Sequence, residues 1–247
     1  MTMKDAREQT LAKRVSGSPL AVIFDMDGVL VDSYFAHYES WRRLAAEYDL
    51  TVTEDDFIRH FGRTSREIVE AYWGVDRFST GEITAMDERK EAIFREILHS
   101  DFRPMPRIDA LLPGLREAGF MLAVGSSGPP ENVQMVLEKL AARQLFDAIV
   151  TGKDVTRGKP DPQVFLLAAE RLGVAPQQCA VVEDAPAGIT AAHRARMAAI
   201  GLVSTGRTPE SLQEADLVVR SLTELNPKII GDLILKRSQT IAAGKGR

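Results

Sequence analysis

Short apolar and β-branched runs recur along the chain, at residues 20–24, 120–124, 148–151, 179–182, 198–203 and 217–219. They are too short for helices, and their unbroken apolar character suits strands covered on both faces. Between the later runs, residues 132–140 and 163–172 carry apolar positions at helical spacing. Strands alternating with single helices predict βαβ units and a buried parallel sheet, so the fold class is α/β. Ligands in such sheets bind beyond the C-terminal ends of the strands. The residues that follow each run are therefore the place to look for chemistry.

One stretch breaks this rhythm. From Tyr34 to about Met105 only helical patterning is seen: Phe35, Tyr38, Trp41, Leu44 and Ala45 follow steps of three and four, as do Ile83, Met86, Lys90, Ile93, Phe94 and Ile97. Arg103-Pro104-Met105-Pro106 closes the stretch. At about 70 residues it is several times the usual βα connection, which predicts an all-helical cap inserted after the first strand. The expected organisation is an N-terminal extension over 1–18, a core from 19–33 and 105–236, a cap over 34–104 with hinges near Ser33 and Pro104, and a tail over 237–247.

Apolar residues make up 45% of the 247-residue chain, enough for a sizeable core. The formal net charge of −4 lacks the basic excess of a nucleic-acid binder. Lys236, Arg237, Lys245 and Arg247 read as a solvated end. The single cysteine, Cys179, sits in an apolar run and rules out an internal disulfide, which suits a reducing compartment. No apolar run approaches the roughly 18 residues of a membrane span, and residues 1–18 lack the apolar region of a signal peptide. The cytoplasm is the expected location.

Four segments at strand ends carry candidate chemistry. Asp25-Met26-Asp27-Gly28 places two carboxylates on one side of a strand end, just before a glycine-assisted turn; an acidic turn is one reading, a site for a hard cation such as magnesium the other. Ser126-Ser127-Gly128, before a helix, suits a phosphate oxygen, or is a plain loop and cap. Lys159, between Gly158 and Pro160, is fixed on a turn where its ammonium can neutralise an aspartate and a phosphate, or is a surface lysine before a helix. Glu183-Asp184 either caps the next helix or completes a cation site with Asp25 and Asp27; we take the cation site. There is no P-loop and no dinucleotide-binding glycine fingerprint, which argues against a nucleotide-dependent oxidoreductase.

Taken together, Asp25-x-Asp27-Gly28, Ser126, Lys159 and Glu183-Asp184 resemble the four ordered motifs of the haloacid dehalogenase-like hydrolase superfamily, over residues of about 20 to 220. The resemblance is nearest to the branch with a helical cap after the first motif, which includes β-phosphoglucomutase, phosphoglycolate phosphatase and sugar-phosphate phosphatases. It implies a Rossmannoid core and magnesium dependence. By the same resemblance Asp25 is the nucleophile and forms an aspartyl-phosphate, and Asp27 is the general acid and base. Asp25, the backbone carbonyl of Asp27, Asp184 and Glu183 hold the ion. Ser126, the Ser127 N–H and Lys159 hold the phosphoryl oxygens. Superfamily members that cleave C–Cl or C–P bonds lack an aspartate at the second position, so Asp27 implies phosphate-ester chemistry.

In the cap, His37, Trp41, Arg66 and Lys90 resemble positions that meet substrate; packing within the cap is the competing reading for Trp41, and a solvated helix charge for Arg66 and Lys90. The mutase pattern there is Gly-x-Ser-Arg after a leucine. Phe61-Gly62-Arg63-Thr64-Ser65-Arg66 has an extra residue and a phenylalanine in the leucine's place. The sequence reading is therefore a magnesium-dependent phosphatase of a small-molecule phosphate ester, such as a phosphosugar. The alternatives are a hexose-phosphate mutase and a catalytically inactive binding module, the latter opposed by the intact acidic residues.

Overall fold

The computed structural model describes residues 19–61 and 64–244. The extension expected over 1–18, Gly62 and Arg63 of the cap motif, and residues 245–247 lie outside the described residues. The chain divides into two compact units, one of Ser33–Arg103 and one built from the chain on either side of it.

The flanking unit contains the sheet. Its strands are β1 (Ala21–Phe24), β2 (Met121–Gly125), β3 (Ala148–Val150), β4 (Cys179–Glu183), β5 (Ala198–Leu202) and β6 (Leu217–Val219), in the spatial order β3-β2-β1-β4-β5-β6. All five neighbouring pairs are parallel. Every residue of β1, β4 and β5 is buried, so both faces are covered, as the unbroken apolar runs require. β1 lies at the centre, with its chain successor β2 on one side and β4 on the other. Such a reversal of strand order is where ligands bind in parallel sheets, here at the C-terminal end of β1.

The expected strands all form, with no end moved by more than one residue. Thr151 leaves β3 because its N–H and hydroxyl both donate to the Asp154 carboxylate, at 2.8 and 2.9 Å, which starts a short 3₁₀ turn. Across the insertion Met105 N–H donates to the Leu30 carbonyl at 3.1 Å, and Val31 bridges to Pro104, so the two halves of this unit rejoin directly.

The Ser33–Arg103 unit holds α1 (Tyr34–Glu47), α2 (Glu54–His60), α3 (Ser65–Trp73) and α4 (Thr80–Ser100), with no strand among its described residues. The last three begin with capping boxes, Thr53 with Asp56, Thr64 with Glu67 and Ser79 with Glu82, which satisfy N–H groups a helix start leaves open. The apolar stripe of α4 is buried throughout, Lys90 included. In α1, Trp41, Leu44 and Ala45 are buried, but Phe35 is 48% exposed, with the Arg103 guanidinium over its ring.

In the flanking unit α5 (Ile108–Glu117), α6 (Pro130–Lys139), α7 (Gln163–Leu172) and α8 (Pro186–Arg194) alternate with the strands. The final helix, α9 (Pro227–Gly244), runs unbroken past residue 237. Arg237 is not simply a solvated charge, since it pairs with Asp216 at 3.1 Å. No helix among the described residues is long and apolar enough to cross a membrane.

Candidate active site

The register of the sheet brings the motif residues to one rim. Phe24 pairs with Val124 on β2 and with Val182 on β4, which sets Asp25 level with Gly125 and Glu183. The backbone of Asp25 still belongs to the sheet, its N–H donating to Val182 O at 3.0 Å. The chain then turns through Gly28, whose φ of +70° favours glycine. Space gives a second reason for that glycine, because a Cβ there would overlap Asp184 Oδ2.

Carboxylate oxygens of Asp25, Glu183 and Asp184, all three residues buried, lie within 4.8 Å of one another. Lys159 joins two of them, with Nζ 2.7 Å from Asp25 Oδ1 and 2.6 Å from Glu183 Oε1. The other oxygen of Glu183 accepts the Ala185 N–H at 2.8 Å, so this side chain is held at both ends. Gly188 makes room for it, since a Cβ at that position would overlap the Glu183 carboxylate.

The loop carrying Lys159 is braced independently. Gln163 Oε1 accepts the N–H groups of Thr156 and Arg157 at 3.0 and 2.9 Å, Arg157 pairs with Asp161 at 2.8 Å, and Arg194 donates to Pro160 O at 3.0 Å. Phe165 lies beneath the ammonium, its ring centroid 4.9 Å from Nζ. A long lysine side chain is thereby held in one arrangement before any ligand arrives.

Burial raises the Asp25 carboxyl well above the ordinary carboxylate range; Lys159 opposes that shift, while Glu183, Asp27 and Asp184 add to it. Burial, then Glu183, pushes Asp184 up to about 6, against the pull of Arg207 and Ser204. Burial alone would lower Lys159, but Asp25 and Glu183 outweigh it and raise the ammonium above its ordinary value. Two cationic side chains, Lys159 and Arg207, thus serve four mutually interacting acids, Asp25, Asp27, Glu183 and Asp184. A compact, all-oxygen donor set with surplus negative charge fits a hard divalent cation.

Ser126 is buried at the end of β2, its N–H donating to Val150 O at 3.0 Å and its Oγ accepting the Gly128 N–H at 3.0 Å. Ser127 follows it as an exposed residue before α6. Two further residues belong to the site without standing in any of the four segments: Ser204 Oγ donates to Asp184 Oδ2 at 2.8 Å, and Arg207 Nε lies 3.5 Å from the same oxygen. Both follow β5, a recognised strand run, so the rule that chemistry lies beyond strand ends covers them too.

The four cap candidates separate into two places within their own unit. Lys90 is 4% exposed, with Nζ 2.9 Å from His37 Nδ1 and 2.7 Å from Glu91, over the rings of Trp41 and Phe94. Trp41 packs edge-on against Tyr72 and Trp73. Arg66 is elsewhere, bonded to Glu70 and Thr80, with 46% of its side chain exposed.

A family profile described as haloacid dehalogenase-like hydrolase matches residues 22–202. Over 213 residues the chain is 35% identical to validoxylamine A 7'-phosphate phosphatase of Streptomyces hygroscopicus subsp. limoneus, covering 85% of this chain and 97% of that protein. It is 34% identical to β-phosphoglucomutase of Bacillus subtilis, covering 85% and 93%. Among solved structures, β-phosphoglucomutase from Clostridium difficile superposes with a TM-score of 0.77 at 28% identity, covering 90% of this chain and 98% of that one. The extent of these matches, with the acids and lysine gathered at the end of β1, places the chain in the haloacid dehalogenase-like hydrolases.

Proposed function

We propose that the chain is a magnesium-dependent phosphatase that hydrolyses a small phosphate monoester, a phosphosugar or a similar ester, through an aspartyl-phosphate on Asp25. The observation that carries this reading is Lys159 bridging Asp25 and Glu183 beside the buried Asp184. A carboxylate nucleophile, a fixed cation and a hard-cation donor set stand together at the switch point of a parallel sheet. A relative that shares 35% identity over most of both chains acts, by its name, on validoxylamine A 7'-phosphate, and one that shares 34% identity is named a phosphorylated carbohydrates phosphatase.

In this mechanism an Asp25 oxygen attacks phosphorus as the bond from phosphorus to the ester oxygen breaks. Asp27 gives its proton to the departing alcohol. It then takes a proton from a water that attacks the aspartyl-phosphate, releasing inorganic phosphate and restoring Asp25. Lys159, Ser126 and the Ser127 N–H hold the phosphoryl oxygens where charge accumulates. Asp25, Glu183, Asp184 and the Asp27 carbonyl would hold magnesium, which would offset repulsion between nucleophile and phosphate. Of the cap candidates, Arg66 alone presents an exposed charged group, and we assign it to recognition of the organic part of the ester; His37, Trp41 and Lys90 form the cap's internal packing. The buried Cys179 suits the cytoplasm.

The test is phosphate release from p-nitrophenyl phosphate and a panel of phosphosugars in magnesium. Asp25→Asn and chelation should each abolish it, and undiminished turnover by Asp25→Asn excludes Asp25 as nucleophile. The identity to the Bacillus subtilis β-phosphoglucomutase supports a second reading, hexose-phosphate isomerisation. Scoring β-glucose 1-phosphate for both free phosphate and glucose 6-phosphate separates the two.

A further inference from the structure

Asp184 has two carboxylate oxygens, and the fold commits one of them. Oδ2 accepts a hydrogen bond from Ser204 Oγ at 2.8 Å and lies 3.5 Å from Arg207 Nε. On its remaining flank Gly28 approaches so closely that a Cβ would overlap it, and that same Cβ would stand 2.9 Å from Ser204 Oγ. Ser204 is 8% exposed and the Arg207 side chain 13%, so neither contact is a loose surface pairing.

The loop that carries both residues is itself tied down. Val203 N–H donates to Val219 O at 2.9 Å, Arg207 N–H to Ser204 O at 3.0 Å, and Thr205 Oγ1 to Asp32 Oδ2 at 2.8 Å. A buried carboxylate gripped on one oxygen by a braced loop is held in one rotation, with its other oxygen left for a ligand.

We propose that Ser204 and Arg207 are positioning residues that fix the rotation of the Asp184 carboxylate, reserving Oδ1 for the divalent cation. The inference rests on the cation reading above and adds the residues that orient its ligand. Partners of this kind typically change metal affinity by about 10- to 100-fold when removed. Substituting Arg207 alters both the geometry and the local charge, and the two effects on affinity oppose one another. Ser204→Ala removes the hydrogen bond without changing the formal charge.

The experiment is calorimetric titration of magnesium into the full chain stripped with a chelator. Ser204→Ala should raise the magnesium dissociation constant about 10-fold. The magnesium concentration for half-maximal phosphate release should rise in step, while kcat at saturating magnesium stays within about twofold of the wild type. Ser204→Cys, of similar size but with a weak donor, guards against misfolding of the alanine variant and should fall between the two. An unchanged dissociation constant in Ser204→Ala overturns the inference while leaving the cation reading intact. So does a loss of kcat that added magnesium does not restore. A wild-type protein that gives no magnesium isotherm overturns the cation reading itself, and the inference with it.

Discussion

Replacing Gly188 by alanine sets local helix preference against the geometry of the site. Gly188 is the third residue of α8, and alanine is favoured over glycine within a helix by about 1 kcal/mol. Here the added methyl would overlap Oε1, Cδ and Cγ of Glu183. That side chain has nowhere cheap to go: the residue is 1% exposed, with Oε1 2.6 Å from Lys159 Nζ and Oε2 2.8 Å from Ala185 N. Displacing it sacrifices two hydrogen bonds to a charged group, at about 1.5–3 kcal/mol each. After the helix gain is subtracted, Gly188→Ala should be less stable by about 2–5 kcal/mol. In a Glu183→Ala background the same methyl meets no carboxylate, and Gly188→Ala should be neutral or stabilising. Urea unfolding should be followed by far-UV circular dichroism, because both tryptophans, Trp41 and Trp73, lie in the Ser33–Arg103 unit and their fluorescence reports that unit. A Gly188→Ala protein as stable as the wild type refutes the reasoning, as does an equal loss with and without Glu183.

Two further outcomes follow from contacts away from the rim. Arg171, with Thr151 contributing, holds the Asp154 carboxyl at about 2, below its ordinary 3.8, so its contribution to stability is present above the ordinary value and fades as pH falls towards 2. The difference in urea midpoint between wild type and Asp154→Asn should therefore be largest near neutrality and shrink below about pH 4; a difference constant with pH contradicts this. In the helical unit, Lys90→Ala should lower the unfolding free energy followed by tryptophan fluorescence by about 2–4 kcal/mol. A buried ammonium is held there by Glu91 and His37 over the rings of Trp41 and Phe94, and its removal both leaves a cavity and takes a cation from the Glu91 carboxylate. Lys90→Met fills the space but takes the same cation from Glu91, so it should recover only part of the loss; a methionine variant as stable as the wild type shows that the ammonium contributes nothing.

Much of the fold can be read from the chain because the sheet is covered on both faces. Burial on both sides turns each strand into a short unbroken apolar run, and β1, β4 and β5 are buried at every position. The insertion shows itself as the one long stretch where period three-to-four patterning replaces such runs. Spatial strand order is harder to read, since β1 between β2 and β4 depends on which way each crossover packs and not on any local pattern. Lys90 shows the limit of periodicity: its place on the apolar stripe of α4 is correct, and its bonds to His37 and Glu91 over the rings of Trp41 and Phe94 explain a lysine there. Phe35 is the converse, an aromatic at the predicted spacing that the first turn of α1 leaves exposed.

At the candidate site, legibility divides along a physical line. Asp25, Lys159, Glu183 and Asp184 are legible as a set that follows the strands β1, β3 and β4, since each alone also reads as an acidic turn, a surface lysine or a helix cap. Gly188, Ser204 and Arg207 are not, because what each does is relational. A glycine early in a helix reads as a weak helix former until Glu183 folds over it. Ser204 and Arg207 read as ordinary loop residues until the β5 loop closes on Asp184 Oδ2. Arg207 also changes how the acids themselves are read. Four carboxylates left to themselves would repel or protonate, and Lys159 reaches only Asp25 and Glu183. With Arg207 beside Asp184 the surplus falls to what one divalent ion balances, so the charge at this rim is set by the β5 loop as much as by the acidic motifs.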